Sequence, residues 1–311
     1  MTGATGFLGS NLTNYFLSKG YEVHSLIRKN SNLWRIRNIN DINFHVSNLL
    51  DVHKLKSTIK SIKPDVVIHT AGTIKGFSEI DQEDVITSNF EITLNMINAC
   101  NDLDYTAFIN TGSAYEYGNK KGNIPENEKT EPVNLYGITK MASTSYSSLI
   151  AKKYNKPITT LRIFTPYGYN DLLHRLVPNT ISKFLKGDQV NIVNPYSKRD
   201  FIFIDDLCKA YEAVIKKSTE IEPGTVLNLG SGECQTVQNV VQIISTLMNK
   251  EYVVEGMQKE DGDKGIQELC SDNTELMRQT GWKSEVDLTK GLKKTVEWFQ
   301  NNPSLYQNQD L

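Results

Sequence analysis

From the first residues to about residue 165, short apolar runs alternate with helix-length stretches whose apolar positions recur every three or four residues. Tyr21–Ile27, Phe44–Val46, Val66–His69, Ala107–Thr111 and Thr159–Phe164 read as strands. They are rich in Val, Ile and Phe and bounded by polar turns, as in a parallel sheet buried on both faces. Between them, Leu8–Ser18 reads as a helix closing on Gly20, and Val52–Ile62 as a helix that stops ahead of Pro64. After Phe164 the rhythm changes: a turn at Thr165–Gly168, a polar segment, a helix near Leu176–Leu185, a loop at Pro195 and the run Arg199–Asp206. The pattern predicts an α/β fold with helices on both faces of a parallel sheet, followed by a smaller lobe.

Composition narrows the function classes. The 311 residues are 39% hydrophobic and 23% charged, with 34 basic against 36 acidic residues and a net charge of −2. That balance gives no whole-chain electrostatic case for a nucleic acid or a membrane surface, so the expected partner is a small molecule. No apolar run reaches membrane-spanning length and the start carries no secretory signal, which predicts a cytoplasmic protein. Cys100, Cys208, Cys234 and Cys270 lie far apart without a C-x-x-C pair and are expected to be reduced thiols, neither disulfides nor zinc ligands.

The chain opens with Gly3, Gly6 and Gly9 at three-residue intervals, directly ahead of an amphipathic segment carrying Leu8, Leu12 and Phe16. Glycines permit the tight turn and close approach to a pyrophosphate, and the free N–H groups at a helix start favour the anion. Where such turns bind nucleotides, a buried strand of about six residues comes first; here only Met1 and Thr2 do. The natural polypeptide is therefore expected to begin upstream of Met1. A structure of this chain is expected to show a gap between the strands Tyr21–Ile27 and Val66–His69.

A second constellation is Tyr136 and Lys140, although the Y-x-x-x-K spacing also occurs at Tyr15/Lys19 and Tyr117/Lys121. Context separates them: Tyr15 and Lys19 end the first helix, Tyr117 to Lys121 crosses a loop, and Tyr136 and Lys140 begin a helix after Pro132. On a helix, residues four apart share a face, so the Lys140 ammonium is expected to lie near the Tyr136 phenol and favour its ionised form. Ser113 ends the strand Ala107–Thr111, where open α/β sheets present ligand-contacting groups.

Together these residues resemble the extended short-chain dehydrogenase/reductase family, the NAD(P)-dependent epimerases, dehydratases and reductases of nucleotide sugars. The resemblance rests on TGATGFLG at Thr2–Gly9, IHTAG at Ile68–Gly72, TGSAYEYG at Thr111–Gly118, YGITK at Tyr136–Lys140, RIFTPYG at Arg162–Gly168 and RDFIFIDD at Arg199–Asp206. It implies a Rossmann-type NAD(P)-binding domain over residues 1–165, with its first strand missing from the chain. A substrate-binding lobe would follow over 166–311, some segments returning to the first domain. It implies Ser113, Tyr136 and Lys140 as the catalytic triad, and a cofactor site drawn from Gly3, Thr5, Gly6, Phe7, Leu8, Arg28, Asn48, Leu49, Thr70, Ala71, Gly72, Thr111, Tyr136, Lys140 and Pro166. Gly9 would help line the pyrophosphate, Ser113 and Arg199 would contact substrate, no metal is called for, and a homodimer is the family expectation.

Three departures from the family pattern direct the reading. Arg28-Lys29 follows Tyr21–Ile27 where NAD-specific relatives carry an Asp, so NADP is the expected cofactor, with NAD as the alternative. Ala114 and Tyr115 follow Ser113 where sugar 4,6-dehydratases carry an Asp-Glu pair; Glu116 is one residue out of step and, on an extended chain, would face away. No arginine precedes Asp272, so substrate phosphates would rest on Arg199, with Lys264 or Arg175 as a second cation. His174 is left out of the site. The expected activity is NADPH-dependent reduction of a nucleoside-diphosphate 4-keto-6-deoxy sugar. A nucleotide-sugar 4-epimerase is the alternative, and a non-catalytic NADP-binding sensor or scaffold stands as the reading from another class.

Overall fold

A computed structural model describes residues 1–73, 82–192, 194–254 and 267–306. The chain runs through α1 (Phe7–Ser18), β1 (Val23–Ile27), β2 (Ile42–Val46), α2 (Val52–Ile62), β3 (Val66–His69) and α3 (Gln82–Ile86). A π turn at Thr87–Glu91 leads into α4 (Ile92–Cys100), followed by β4 (Ala107–Ser113), β5 (Asn123–Ile124), α5 (Leu135–Tyr154), β6 (Ile158–Ile163) and β7 (Thr165–Tyr167). Then come α6 (Leu176–Lys186), β8 (Asn191–Ile192), β9 (Lys198–Phe203), α7 (Ile204–Lys216), β10 (Val226–Leu229) and β11 (Cys234–Thr236). The chain closes with α8 (Val237–Met248), β12 (Val253–Val254), β13 (Glu268–Ser271), α9 (Thr274–Thr280) and α10 (Leu288–Asn301).

Four strands pair in parallel in the order β10-β6-β4-β3. Every residue of β4 and β6 is buried, and alternate side chains enter two cores. Ala107, Ile109, Leu161 and Ile163 pack with α1 and α7 residues such as Leu12 and Leu207, while Phe108 and Ile158 pack with Leu55, Met96 and Ala151 from α2, α4 and α5. This is the doubly covered Rossmann-type sheet expected from the continuous apolar runs. The helix stops also follow the sequence signals: Gly20 takes φ 82° just past α1, and Lys63 ends α2 in the left-handed region one residue before Pro64.

β1 and β2 form their own parallel pair. Thr2 lies between β1 and β3, bridging Leu26 on one side and His69 on the other. The Leu26 N–H donates to the Met1 carbonyl at 2.9 Å and the Thr2 N–H to the Ile68 carbonyl at 3.0 Å. A cavity of about 270 Å³ lies between the first halves of the two strands, lined by Val23, Leu26, Val66, Ile68 and, from α2 and α4, Ile59 and Met96. The expected gap is thus present at the start of the strands and closed at their ends. β2 departs from the doubly buried expectation: Phe44 and Val46 are exposed, because β2 is an edge strand.

A second sheet has the order β11-β9-β13-β5, with β7 also on β9. Thr165–Tyr167, expected as a turn, is therefore a short strand whose Pro166 pairs with Ile202. The cysteine expectation also needs correction: Cys234 and Cys270 form a disulfide with Cα atoms 5.4 Å apart, while Cys100 and Cys208 are buried free thiols. The bond forms where β13 leaves β9 to pair with β5, a contact that a separation of 36 residues conceals in the sequence.

Candidate active site

The glycine-rich turn forms as its residue types require. Gly3 takes φ +72°, and a Cβ there would come within 2.6 Å of the Thr70 hydroxyl and 2.7 Å of the Ala71 nitrogen. A Cβ on Gly9 would strike the Gly3 carbonyl, so α1 can begin this close to the turn only with glycine at that position. Gly6 caps α1 with no side-chain bond to the first turn, leaving the first N–H groups without a side-chain partner. That arrangement fits a dinucleotide pyrophosphate: an uncapped helix start carries partial positive charge and directed donors. The Phe7 ring faces the core beneath the Arg175 guanidinium, so of Phe7 only the backbone is available to a ligand.

Ser113 ends β4, and Tyr136 and Lys140 lie on the first turns of α5, started by Asn134, whose side chain accepts from the Gly137 N–H at 2.8 Å. Gly137 is required there, because a Cβ would meet the Tyr115 carbonyl at 2.4 Å, and the close approach brings the helix start down onto the serine turn. The Ser113 hydroxyl hydrogen-bonds the Tyr136 phenol, and the Tyr115 ring packs edge-on against Tyr136 with centroids 5.8 Å apart. Burial pushes the phenol up to about 12, with the charges of Tyr115 and Glu116 acting in the same direction; the Ser113 bond and the Arg175 guanidinium pull it down. The expected lowering by Lys140 is not what the fold sets up. Burial brings Lys140 itself down to about 8, against the raising influence of Glu116.

The other two Y-x-x-x-K pairs are structural. The Tyr15 hydroxyl donates to Glu212 at 2.8 Å, with the Lys19 ammonium 5.4 Å from the Tyr15 ring centre, which joins α1 to α7. Tyr117 is fully buried and donates to Asn228 Oδ1 at 2.8 Å. The direction assigned to Glu116 requires a different reason. Residues 114–116 form a turn of 3-10 helix, not an extended chain, and the Glu116 carboxylate is buried, bonded to Ser113, Thr144 and Arg162.

Of the remaining expected cofactor residues, Arg28 follows β1, Asn48 and Leu49 follow β2, Thr70–Gly72 follow β3, Thr111 lies in β4 and Pro166 in β7 of the second sheet. Arg28 and Lys29 are exposed just past β1, in a turn where the Arg28 N–H donates to Ser31 Oγ at 2.9 Å. Asn48 uses its side-chain oxygen to accept from Leu50 N–H, and Leu49 offers its carbonyl to Asn95. The Thr70 hydroxyl donates to the Thr2 carbonyl at 2.8 Å, and Gly72 packs on Asn89, whose amide straps Thr73 in both directions. Thr111 is turned away from these groups, its hydroxyl 2.8 Å from that of Tyr211 on α7. Sequence reading missed Arg35, which donates to the Thr5 carbonyl at 3.3 Å and the Asn170 carbonyl at 2.7 Å and so fastens the glycine-rich turn to the segment ahead of α6.

Arg199 lies on the second sheet, beside a cavity of about 270 Å³ that Leu176, Asn179, Thr180, Ile192 and Gln267 also line. Its guanidinium donates to Ser197 Oγ at 2.7 Å and to the Lys198 carbonyl at 2.8 Å. Next to it, buried Asp200 accepts from Ser231 and Gly232 N–H groups and from the Ser231 and Ser271 hydroxyls, fixing the strand. Arg175 caps the start of α6, holding Asp171 at 3.3 Å and exerting its charge on Tyr136. Lys264 lies outside the described residues. No helix among the described residues is long and apolar enough to cross a membrane.

The profile of the NAD dependent epimerase/dehydratase family matches residues 1–230. Human dTDP-D-glucose 4,6-dehydratase is 24% identical, covering 99% of this chain and 91% of that protein. A putative UDP-glucose 4-epimerase of Methanocaldococcus jannaschii is 25% identical, covering 97% and 98%. Among solved structures, UDP-glucuronic acid 4-epimerase from Bacillus cereus, in complex with UDP-glucuronic acid and NAD, matches with a TM-score of 0.86 at 23% identity, over 96% of this chain and 98% of that one. With the glycine-rich turn, the Ser113–Tyr136 pair and a family match across three quarters of its length, the chain belongs to the NAD dependent epimerase/dehydratase family, enzymes of the extended short-chain dehydrogenase/reductase type.

Proposed function

We propose that this protein reduces a 4-keto-6-deoxy sugar carried on a nucleoside diphosphate, with NADPH as the electron source. The observation that carries the reading is the Tyr136 phenol, hydrogen-bonded to Ser113 and held protonated by its surroundings up to about 12. A phenol so placed can deliver a proton to a developing alkoxide, and in this reading NADPH reduction is preferred to epimerisation because Arg28, exposed beyond β1, offers a partner for a 2′-phosphate. Tyr136 gives its proton to the sugar oxygen, Ser113 orients that oxygen through its hydroxyl, and the positive charge of Arg175 stabilises the phenolate that remains. When bound, the nicotinamide dinucleotide supplies the hydride; Gly3, Gly6 and the first N–H groups of α1 would hold its pyrophosphate and Arg28 a 2′-phosphate.

The division at residue 165 into a cofactor domain and a substrate lobe is part of this proposal, with Arg199 as the anchor for the nucleotide's phosphates. Dehydration is disfavoured because Glu116, the acidic residue nearest in sequence to Ser113, is committed to Arg162. A second reading, 4-epimerisation with retained NAD, is favoured by the names of the similar proteins. Incubating the protein with NADPH and a panel of nucleoside-diphosphate 4-keto-6-deoxy sugars, and separately with NAD and nucleoside-diphosphate sugars that carry a 4-hydroxyl, separates the two. Stoichiometric loss of the reduced-nicotinamide absorbance selects the reductase, interconversion of sugars without net cofactor use selects the epimerase, and neither outcome removes both.

A further inference from the structure

Glu116 is fully buried. Its Oε1 accepts from the Ser113 backbone N–H at 2.9 Å and from the Thr144 hydroxyl, one turn beyond Lys140 on α5, at 2.9 Å. Its Oε2 accepts from Arg162 Nε at 2.8 Å, and Arg162 lies on β6 opposite Gly112 of β4. One carboxylate therefore joins the strand that ends in Ser113, the helix that carries Tyr136 and Lys140, and the next strand of the sheet. Gly112 makes room for it: a Cβ there would stand 2.7 Å from Glu116 Oε1. The Arg162 guanidinium is in turn held over the Tyr117 ring at 4.5 Å.

We infer that Glu116 is a positioning residue for the reaction centre, setting the Ser113 hydroxyl against the Tyr136 phenol by fixing the serine backbone and α5 to one buried anion. A buried charge with three partners from three elements has one low-energy arrangement, because displacing any partner leaves an unpaired polar group in a dry interior. An apolar residue at 116 would leave the β4 end and α5 to be aligned by packing alone, and a glutamine would lose the Arg162 ion pair that holds the group in place.

The anion also bears on the charge of Lys140. The groups facing that ammonium are Glu116 from the 3-10 turn and His69 from β3, with Arg162 on the far side of Glu116. Of these, Glu116 is the one that favours the charged lysine. Removing its charge should therefore move the alkaline limb of kcat, where Lys140 loses its proton, to lower pH. A purely structural role would leave that limb in place.

The inference rests on the enzymatic reading above, so the test has one arm that needs no turnover. In Glu116→Gln, amide hydrogen exchange should quicken in peptides covering residues 107–118 and 134–148 and stay as in the parent in α8 and α10. With a substrate found by the panel, kcat should fall at least about tenfold, while KM for the sugar and affinity for the dinucleotide change by less than about twofold. The alkaline limb should move down by about half a pH unit or more. Thr144→Val, which keeps the ion pair and removes only the helix's bond to the carboxylate, should lower kcat several-fold at unchanged KM; it decides the matter if Glu116→Gln does not fold. Unchanged local exchange together with wild-type kcat in a folded Glu116→Gln, or a wild-type Thr144→Val beside an unfolded Glu116→Gln, overturns the inference. Exchange that quickens throughout the protein, with parallel loss of dinucleotide binding, would reduce Glu116 to a general structural role. If the parent is inert with every sugar while the local exchange response appears, the enzymatic reading fails and the positioning stands.

Discussion

His69 Nδ1 lies 2.8 Å from the Thr2 hydroxyl, and Nε2 of the same ring lies 3.0 Å from the Thr93 hydroxyl. The imidazole thus ties the segment between β1 and β3 to α4 from inside the sheet, with both ring nitrogens engaged. Burial, reinforced by the nearby Lys140 charge, brings His69 down to about 3 from an ordinary 6.5.

The sign of the consequence is fixed. Between pH 6.5 and about 3 the unfolded chain binds a proton that the folded chain refuses, so stability is full above pH 6.5 and is lost as pH falls toward 3. The loss attributable to this ring is on the order of 3–5 kcal/mol. Urea unfolding at pH 7 and pH 5 should show about 2 kcal/mol of that fall in the parent and a much smaller one in His69→Gln; equal falls in both would place the acid sensitivity elsewhere.

Lys140 behaves in the same sense at higher pH. Its folded value near 8 lies below the ordinary 10.5, so the cost of burying its charge is present below pH 8 and relieved as pH rises toward 10.5. Lys140→Met should therefore melt higher than the parent at pH 7, and the difference should shrink by pH 9.5. A constant difference across that range would show that Lys140 is not titrating there.

Tyr136→Phe removes one hydroxyl while keeping the ring against Tyr115, so turnover should fall by about three orders of magnitude or more while dinucleotide binding is retained. Lys140→Ala should reduce both turnover and binding, because the proposal places Lys140 in the cofactor site as well as in the catalytic triad. Isothermal titration beside steady-state kinetics checks the pair. Near-normal turnover in Tyr136→Phe would move the acid to Tyr115, its ring neighbour.

Arg28→Ala should weaken NADPH binding by roughly 1–3 kcal/mol, the worth of a charge-assisted hydrogen bond, and leave NADH almost unchanged. Equal weakening of both dinucleotides, measured by nicotinamide fluorescence titration, would remove Arg28 from the 2′-phosphate site and favour NAD.

The tertiary structure also accounts for helix α5, whose start was legible in the sequence while its burial was not. Its buried face is Gly137, Thr139, Lys140, Ser143, Thr144, Ser147 and Ala151, small and polar residues that make no apolar stripe. Their hydroxyls are satisfied locally or by the neighbouring turn: Ser143 Oγ donates to the Asn89 carbonyl at 2.7 Å and to the Thr139 carbonyl at 2.9 Å. A hydrophobic pattern detects burial by apolar side chains, and here close backbone approach does the burying.

What the sequence determined by itself are the features encoded within a few residues. The strands Val66–His69 and Ala107–Thr111 and the helix Val52–Ile62 follow from apolar runs and stop signals, and the glycine-rich turn follows from Gly3 and Gly9, where no side chain fits. The tertiary structure decided what depends on residues distant in the chain. It placed Ser113 against Tyr136, turned Glu116 inward to Arg162 and joined Cys234 to Cys270. It also held Tyr136 high and Lys140 low, because both shifts come chiefly from burial, and burial is set by everything the fold packs around a group.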